Sequence, residues 1–433
     1  MKTYNLGIIG FGTVGAGVVA TIQKNGELLA RRTGVQLVIT KVADLDIVSD
    51  RGVTLAPGVL GTDAMALIES PEVDVVVELV GGTTVARKFI TEALKRGKPV
   101  VTANKALLAT YGEELFTLAR KHNTEIYFEA SVGGGIPCIK ALREGLVANR
   151  CQMIYGILNG TCNYILTRME QEQADFAAVL QSATEAGYAE ANPSMDVDGY
   201  DTAHKTAILA SLVYGKWFKV DDVEVQGIRQ VTLKDIDYAA HLGYRIKLLA
   251  VIKESGGRIQ LGVHPSLIPG ESQLGHVNGV YNAVWVRGDV SGTTMYYGRG
   301  AGRDATSSAV VADIMDIALN HLHGCPNRVS AFPTYPEYQG LMYSDEVVSR
   351  YYLRLQVADR PGVLARISGI LGRYQISIAS VTQHEVKLPA VPMVILTHQA
   401  READMKQAIS EISREDCVVQ EPVLFHIEDL VAD

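Results

Sequence analysis

Cysteine is scarce in this sequence, and its spacing excludes the common cysteine-dependent sites. None of the five cysteines among the 433 residues forms a C-x-x-C pair or a zinc-finger spacing with histidine: Cys138, Cys151, Cys162, Cys325 and Cys417. Scattered thiols are typical of core side chains in a reducing compartment, so we expect a cytoplasmic protein. A nucleophilic role for Cys138 or Cys162 is the alternative, although neither has a directly adjacent basic residue that would favour a thiolate.

Long apolar runs and basic clusters are absent as well. No uninterrupted apolar run reaches the length of a membrane span. The first residues, Met1–Asn5, lead into a strand-like run without the apolar core of a signal peptide. The net charge is −8, and no basic patch is interleaved with aromatic residues. We therefore expect no membrane and no nucleic-acid partner, and the chain length predicts two or three domains.

A glycine-rich turn lies between an apolar strand and an apolar helix in the segment Leu6–Val19. Its glycines follow the G-x-G-x-x-G spacing of dinucleotide-binding turns. Gly10 makes the turn, Gly12 lets a pyrophosphate approach the backbone, and Gly15 allows the helix to pack closely. Because the helix amino terminus then faces the phosphates, we predict a cofactor site at Gly10, Phe11, Gly12, Thr13, Val14 and Gly15.

Strand-like and helix-like segments alternate over the amino-terminal third. We predict buried strands at 35–43, 73–80, 98–102 and 126–129, and the intervening helices include 85–96 and 113–122. This alternation is typical of an α/β fold with a doubly wound parallel sheet, so we assign residues 1–130 to a Rossmann-type dinucleotide-binding domain. Ligands bind such sheets beyond the carboxyl ends of the strands. The sequence places Gly81-Gly82, Asn104-Lys105 and Ser131–Gly135 there.

Asp44 follows the second predicted strand, at the position where an acid can accept a hydrogen bond from the adenosine ribose. The next arginine along the chain is Arg51. Because a carboxylate repels a 2′-phosphate, the charge pattern favours NAD over NADP. The alternative is a solvated acid at a strand end, which is common in turns.

Charged side chains are concentrated in the segment Glu190–Lys205. Asn192-Pro193 and Asp198-Gly199 are turn signals, so the carboxylates should lie on a folded loop that leads Lys205 into an apolar helix. A lysine among carboxylates can transfer protons while its neighbours hold an ammonium group. The alternative is a solvated loop with a salt bridge between Asp201 and Lys205.

Six segments, in this order, resemble motifs of homoserine dehydrogenases: Gly10–Gly15, Val101–Ala106, Phe128–Pro137, Asn159–Ile165, Glu190–Lys205 and Gly298–Gly302. The resemblance extends to about residue 345. It implies reversible NAD(P)-dependent interconversion of L-homoserine and L-aspartate 4-semialdehyde, in threonine, methionine and isoleucine biosynthesis. Asn192 and Met195 depart from the family pattern, and we expect them to tune the site without changing the reaction.

The same resemblance implies roles for individual residues. Lys205 would be the acid/base that gives a proton to the aldehyde oxygen, and Lys105 would lie across the site near cofactor and substrate. Glu190 and Asp201 would bind the substrate ammonium, with Asp196 supporting them and Thr161 lining the pocket. An amino-acid substrate brings a positive charge into a partly dry pocket, which needs a carboxylate partner. The family pattern also places Gly187 and Gly302 on the cofactor side.

The resemblance also implies a bound monovalent cation, typically sodium. The matching ligands are the Glu129 carboxylate and the carbonyls of Val132, Gly134 and Ile136. Oxygen ligands with one carboxylate suit a weakly held hard ion better than zinc. The alternative is that Glu129 only caps a loop.

Residues 131–345 are assigned to an α+β substrate-binding and dimerisation domain, from which residues 299–320 return to the nucleotide domain. Beyond it, a βαββαβ order with the turn Asp359–Gly362 after its first strand resembles an ACT domain over residues 350–428. ACT domains pair between chains and bind amino acids, so we expect a threonine-responsive brake and a homodimer or homotetramer. The alternative is a dimerisation module without a ligand. All catalytic motifs precede residue 345, so a chain ending there is expected to remain active.

Two other functions compete with this interpretation. One is another amino-acid-pathway dehydrogenase that carries an ACT domain; aspartate-semialdehyde dehydrogenase is disfavoured because it requires a catalytic cysteine–histidine pair. The other is a catalytically inactive sensor of nucleotide and amino acid. The joint presence of Lys105, Glu190, Asp201 and Lys205 argues against a sensor.

Overall fold

A six-stranded parallel sheet forms the amino-terminal part of the chain. The structure is a computed structural model that describes residues 1–190, 192–332, 335, 337–383 and 390–430. The strands are β1 (Lys2–Ile9), β2 (Val35–Ala43), β3 (Leu60–Gly61), β4 (Val75–Glu78), β5 (Val100–Thr102) and β6 (Ile126–Tyr127). They pair in the order β3-β2-β1-β4-β5-β6, which is the Rossmann order. The predicted doubly wound sheet is therefore confirmed, although the short β3 was not predicted.

Helices connect these strands: α1 (Thr13–Thr33), α2 (Ala64–Glu69), α3 (Thr84–Lys95) and α4 (Lys105–Lys121). The sequence predicted α4 only from residue 113. The helix begins earlier because the Asn104 side chain accepts a hydrogen bond from the Leu107 N–H at 3.1 Å and caps it. The cap places Lys105 in the first turn of α4, beyond the end of β5.

A second sheet follows, with seven strands from the middle of the chain: β7 (Cys151–Ile157), β8 (Glu224–Val225), β9 (Tyr244–Ser255), β10 (Arg258–Pro269), β11 (Tyr281–Gly288), β12 (Gly292–Arg299) and β13 (Gly340–Leu341). Its helices are α5 (Cys138–Lys140), α6 (Gly160–Glu172), α7 (Phe176–Glu185), α8 (Ser194–Val197), α9 (Tyr200–Tyr214), α10 (Leu233–His241) and α11 (Arg303–Leu322). The last of these packs back against α1. A Cβ at Gly17 would lie 2.8 Å from the Arg303 side chain, so the two helices are in close contact there.

The carboxy-terminal part has the βαββαβ order expected of an ACT domain. Its elements are β14 (Val348–Ala358), α12 (Val363–Arg373), β15 (Ile378–Gln383), β16 (Ala390–Thr397), a two-residue β17 (Ala400–Arg401), α13 (Glu402–Ile412) and β18 (Val423–Ile427). The main strands pair in the antiparallel order β18-β14-β16-β15. None of the helices in the described ranges combines the length and hydropathy that a membrane crossing requires.

The carboxy-terminal sheet is joined directly to the second sheet. Strand β18 pairs in parallel with β10, so one twelve-stranded sheet runs through both regions. Next to this pair, the buried Asp235 of α10 accepts hydrogen bonds from Arg354 at 2.5 Å and from the Tyr352 hydroxyl at 3.0 Å. Glu428 follows β18 and accepts hydrogen bonds from Tyr155 and Lys253 at 2.8 and 2.7 Å. This connection of the two regions was not predicted from the sequence.

Candidate active site

The glycine-rich turn presents the amino terminus of α1 at the carboxyl edge of the parallel sheet. Gly10 has a φ of 99°, which favours glycine. A Cβ at Gly15 would lie 2.0 Å from the Gly10 carbonyl oxygen, whereas a Cβ at Gly12 would meet no heavy atom within 4 Å. The first turn of α1 contains no acidic residue. The turn therefore offers open backbone and a positive helix end to a pyrophosphate, and its residues fit a dinucleotide.

Asp44 is tied to this turn. Its carboxylate accepts hydrogen bonds from the Phe11 N–H and, at 2.8 Å, from the Asp46 N–H. Asp46 in turn pairs with Arg51 at 2.7 Å, which brings an arginine closer to Asp44 than the sequence spacing suggested. The carboxylate thus holds the turn and the following loop together, and it retains lone pairs that can accept further hydrogen bonds.

Lys205 lies in the second turn of α9 with its ammonium group held by two acceptors. The Nζ atom donates to the Leu158 carbonyl oxygen at 2.6 Å and to Asp201 Oδ2 at 2.7 Å. The other carboxylate oxygen of Asp201 lies 3.0 Å from Lys105 Nζ. Lys205 is buried, whereas the side chain of Lys105 is 41 % exposed. One carboxylate therefore links the two predicted lysines across the space between α4 and α9.

Asn159 completes this cluster and was not given a role from the sequence. Its side chain caps α6 by accepting from the Cys162 N–H, and its amide donates to Asp196 at 2.7 Å and to Asp201 at 2.8 Å. The capping role could be read from the sequence, since asparagine precedes an apolar helix. The bridging role could not, because its partners lie 37 and 42 residues away.

Burial raises the pKa of Asp196 and Asp201, whereas the charges of Lys205 and Lys105 lower it. Burial alone would raise the pKa of Asp201, but the ammonium groups of Lys205 and Lys105 hold that pKa well below its ordinary value. Burial raises the pKa of Asp196 and the Asp201 charge adds to this shift, which the hydrogen bond from the Asn159 amide offsets only in part. Asp201 is therefore the ionised partner that orients both lysines.

A cavity of about 650 Å³ opens above this cluster. All six residues predicted to act on the substrate line it: Lys105, Thr161, Glu190, Asp196, Asp201 and Lys205. Of the predicted cofactor residues, Val14, Lys105, Gly187 and Gly302 line the same cavity, while the rest of the glycine turn and Asp44 lie outside it. The structure thus brings the substrate and cofactor candidates to one opening between the parallel sheet and the second sheet.

Glu129 lies beneath this cavity and does not line it. Its carboxylate oxygens accept hydrogen bonds from the Ile139 and Lys140 N–H groups, both at 2.8 Å, so Glu129 caps the start of α5. Its own N–H donates to the buried Asp313 at 2.8 Å. Burial raises the pKa of Glu129 to about 7, and Asp313 is shifted in the same direction by burial and by the charge of Glu129. Two adjacent buried carboxyl groups are compatible with a bound cation. Glu129 also has a capping role, which was the alternative given to it from the sequence.

The two cysteines considered as nucleophiles are unsuited to that role. Cys138 and Cys162 are both buried, and desolvation raises the pKa of each thiol. Cys162 donates its S–H to the Asp196 carbonyl oxygen at 3.1 Å. The charge of a neighbouring carboxylate further disfavours a thiolate at each site, Glu129 for Cys138 and Asp196 for Cys162.

Comparison with known proteins agrees with this geometry over the whole chain. The family model for the homoserine dehydrogenase NAD binding domain matches residues 10–129, that for homoserine dehydrogenase matches 137–315, and that for the ACT domain matches 351–416. A homoserine dehydrogenase of Neisseria gonorrhoeae is 43% identical over 435 residues, covering 99% of this chain and 100% of the relative. The chain belongs to the homoserine dehydrogenase family.

Solved structures of family members show the same architecture. A homoserine dehydrogenase from Thiobacillus denitrificans superposes with a TM-score of 0.94 at 42% identity, covering 100% of this chain and 99% of the other. A hyperthermophilic archaeal homoserine dehydrogenase in complex with NADPH has a TM-score of 0.63 at 28% identity, covering 73% of this chain and 98% of the other. Together with the NAD binding domain, these matches identify an NAD(P)-dependent oxidoreductase with a carboxy-terminal ACT domain.

Proposed function

We propose that Lys205 is the proton donor and acceptor in the interconversion of L-homoserine and L-aspartate 4-semialdehyde. An ammonium group has three N–H donors. The Leu158 carbonyl and Asp201 occupy two of them in this structure. The third remains for the substrate oxygen, which needs a proton when the aldehyde is reduced and gives one up when the alcohol is oxidised. This fixed orientation of the Lys205 ammonium is the observation that carries the proposal.

The neighbouring side chains have separate roles in this account. Asp201 holds Lys205 and Lys105, since both of its oxygens are engaged by them. Glu190 lines the cavity and is exposed, and its carboxylate forms no hydrogen bond or salt bridge with another described residue. We therefore assign the substrate ammonium chiefly to Glu190, whereas the family resemblance implied that Glu190 and Asp201 both bind it. Thr161 donates its hydroxyl to the Tyr188 carbonyl at 2.8 Å and stabilises the wall of the cavity.

The cofactor would be held by the glycine turn and the amino terminus of α1. A bound nicotinamide supplies or accepts the hydride in this reaction. Val14, Gly302 and Lys105 line the same cavity as the candidate substrate residues. The protein therefore contributes positioning and proton transfer at one cavity.

For the choice of cofactor, we expect kcat/KM to favour NAD over NADP. The Asp44 carboxylate lies at the end of β2, where it repels a 2′-phosphate. Steady-state rates of the purified protein with homoserine and each cofactor measure the preference. Asp44→Asn should shift the ratio towards NADP, while Asp50→Asn, an exposed acid of the following loop, should leave it unchanged. A clear preference of the unaltered protein for NADP would refute this role of Asp44.

A sodium ion is proposed between Glu129 and the carbonyls of Val132, Gly134 and Ile136. The support is the buried Glu129–Asp313 pair, in which burial raises the pKa of both carboxyl groups and the Glu129 charge adds to the shift of Asp313, so a cation would stabilise the ionised forms. The folded-state pKa of Glu129, about 7, lies above its ordinary value of 4.5. Stability is therefore lost as the pH rises from about 4.5 to 7, because the folded protein must give up a proton that the unfolded chain releases more easily. A cation offsets this cost only where Glu129 is ionised.

We expect sodium chloride to raise the thermal unfolding temperature more at pH 8 than at pH 6. Choline chloride at equal ionic strength is the reference for screening effects. Glu129→Gln keeps a capping oxygen and should abolish the difference between the two salts. An equal response to both salts at pH 8 in the unaltered protein would argue that Glu129 is only a cap.

The carboxy-terminal domain is proposed to be a threonine-responsive brake that acts near the turn Asp359–Gly362. Gly362 has a φ of 90° and no heavy atom within 4 Å of a Cβ position, so the backbone there is open to a ligand. The truncation at residue 345 suggested by the sequence is a poor test. It would expose β10 and remove Arg354 from the buried Asp235, and loss of activity would follow from unfolding alone.

Point variants give a cleaner test of the brake. L-threonine should inhibit the unaltered protein with an allosteric coupling of about 1–3 kcal/mol. Gly362→Ala should reduce this inhibition because alanine is strained at positive φ. Gly369→Ala, at an open position within α12, should not. If no amino acid alters the kinetics or the unfolding temperature of the full chain, the brake proposal is wrong and the domain serves assembly. We propose that the protein forms a homodimer or homotetramer, which light scattering would measure.

A further inference from the structure

A second polar cavity lies at the connection between the two halves of the twelve-stranded sheet. Its volume is about 310 Å³, which is in the range of small-molecule sites. Strands β8 and β10 form one side, and β18, α13 and the segment before β14 form the other. It shares no lining residue with the catalytic cavity. We call it the joint cavity, and its acidic and histidine lining residues are Asp221, Asp222, Glu224, His264, Glu402 and His426.

Two buried imidazoles form the inner end of the joint cavity. His264 of β10 and His426 of β18 stack with their ring centroids 3.9 Å apart. They are only 4% and 8% exposed. Within the described part of the chain, His264 Nε2 and His426 Nδ1 have no hydrogen-bond partner. Buried ring nitrogens without partners are costly, so these two atoms indicate an interaction that the protein alone does not supply.

The His264 ring has a polar partner at one nitrogen only within the described part of the chain. Its Nδ1 lies 2.9 Å from Ser266 Oγ, and Nε2 has no partner among the described residues. A Cβ at Gly262 would lie 3.1 Å from Nε2, so the absence of a side chain at Gly262, itself a lining residue, leaves room beside this atom. A ligand hydroxyl group, which can donate or accept, fits Nε2 in either protonation state.

The carboxylates Glu224 and Glu402 of the joint cavity share one positively charged partner, Lys406. Lys406 Nζ lies 3.0 Å from Glu224 and 2.9 Å from Glu402, so one ammonium group serves two acids. Burial raises the pKa of Glu402 to about 7, and the charge of Glu224 acts in the same direction. Asp221 and Asp222 add further negative charge to the wall. A ligand of this cavity would therefore have to bring both hydrogen-bond donors and a positive charge.

We propose that the joint cavity binds a small organic molecule through a primary ammonium group at Glu402 and Glu224, with a hydroxyl group of the same molecule at His264 Nε2. A metal ion is disfavoured, because the search for three or more ligand atoms within 4.8 Å of one another found only Glu415, Asp416 and Cys417 among the described residues. The aliphatic side chains of Leu261, Met342 and Val347 line the same cavity and would cover a short carbon body.

The joint cavity is separate from the turn Asp359–Gly362. Val347 lines the cavity immediately before β14, and the turn follows the other end of this strand. The 11 residues of β14 span roughly 35 Å. Ligands at the two places can therefore be distinguished by substitutions.

Isothermal titration of the full-length protein tests the proposal with two probes, 1-amino-2-propanol hydrochloride and L-threonine, against a sodium chloride reference of equal ionic strength. We expect saturable binding of at least one probe. Binding of the amine would identify simple amines as ligands, and binding of threonine alone would identify amino acids. Glu402→Gln removes the charged acceptor, and Gly262→Ala fills the space beside His264 Nε2. Each should weaken binding at least tenfold.

Two controls separate this site from other effects. Glu421→Gln removes an exposed carboxylate before β18 and should leave binding unchanged. Gly362→Ala alters the distant turn, where threonine is also proposed to act, so it should leave binding of 1-amino-2-propanol unchanged. Unfolding temperatures without ligand establish that each variant is folded, and Gly262→Ala provides the test if Glu402→Gln does not fold. Absence of saturable binding for both probes, or undiminished binding in Gly262→Ala, would overturn the proposal.

Discussion

Replacing Lys205 with alanine should lower kcat by about 10²–10⁴-fold, the usual contribution of a general acid or base. The substitution removes the ammonium group that donates to both Leu158 and Asp201 and has a third N–H donor for the substrate. Cofactor binding should change little, because the glycine turn proposed to hold the pyrophosphate belongs to the parallel sheet, whereas Lys205 lies on α9. The measurements are kcat in both directions and cofactor binding by fluorescence titration.

A purely structural role for Lys205 has to be separated from a catalytic one. Lys95→Ala removes a surface lysine of α3 that pairs with Glu92, and it should leave kcat unchanged. Added methylammonium should restore part of the activity of Lys205→Ala in a concentration-dependent manner, since it supplies a proton donor to the emptied space. A folded Lys205→Ala variant that keeps more than about a tenth of the original kcat would contradict the assignment.

The second large effect is expected at Glu190. Glu190→Ala should raise the KM for homoserine by about tenfold or more, because a hydrogen bond to a charged group contributes about 1.5–3 kcal/mol. The KM for the cofactor should be unaffected. Glu185→Ala removes an acid from the exposed end of α7, five residues earlier, and serves as the matched control. An unchanged KM for homoserine in Glu190→Ala would assign the substrate ammonium to another group.

The sequence was sufficient for features that depend on local spacing. The glycines of the turn were predicted from their spacing, and the structure agrees because Gly10 and Gly15 meet within six residues. The alternation of strands and helices was predicted for the same reason. The candidate catalytic and substrate residues were predicted from motifs rather than from geometry, and the cavity brings them together from α4, α6, α8, α9 and the segment between α7 and α8.

Features that depend on distant pairing could not be predicted. Asn159 donates to two aspartates, and the Leu158 carbonyl accepts a hydrogen bond from Lys205. Both arrangements depend on how β7, α8 and α9 are placed relative to one another, which the sequence does not give. The parallel pairing of β18 with β10 was missed because an apolar strand pattern does not specify its partner. Asp235 and Arg354, 119 residues apart, are buried by that pairing.

The most direct test of the catalytic account is the distance between Lys205 Nζ and the substrate oxygen in a crystal structure of the ternary complex with NAD(P) and homoserine. We predict a distance of about 2.6–3.2 Å, the range of a productive hydrogen bond, with the contacts to Leu158 and Asp201 retained. If the homoserine hydroxyl instead binds another group while Lys205 keeps only its contacts to the protein, Lys205 is a structural residue and the account is contradicted.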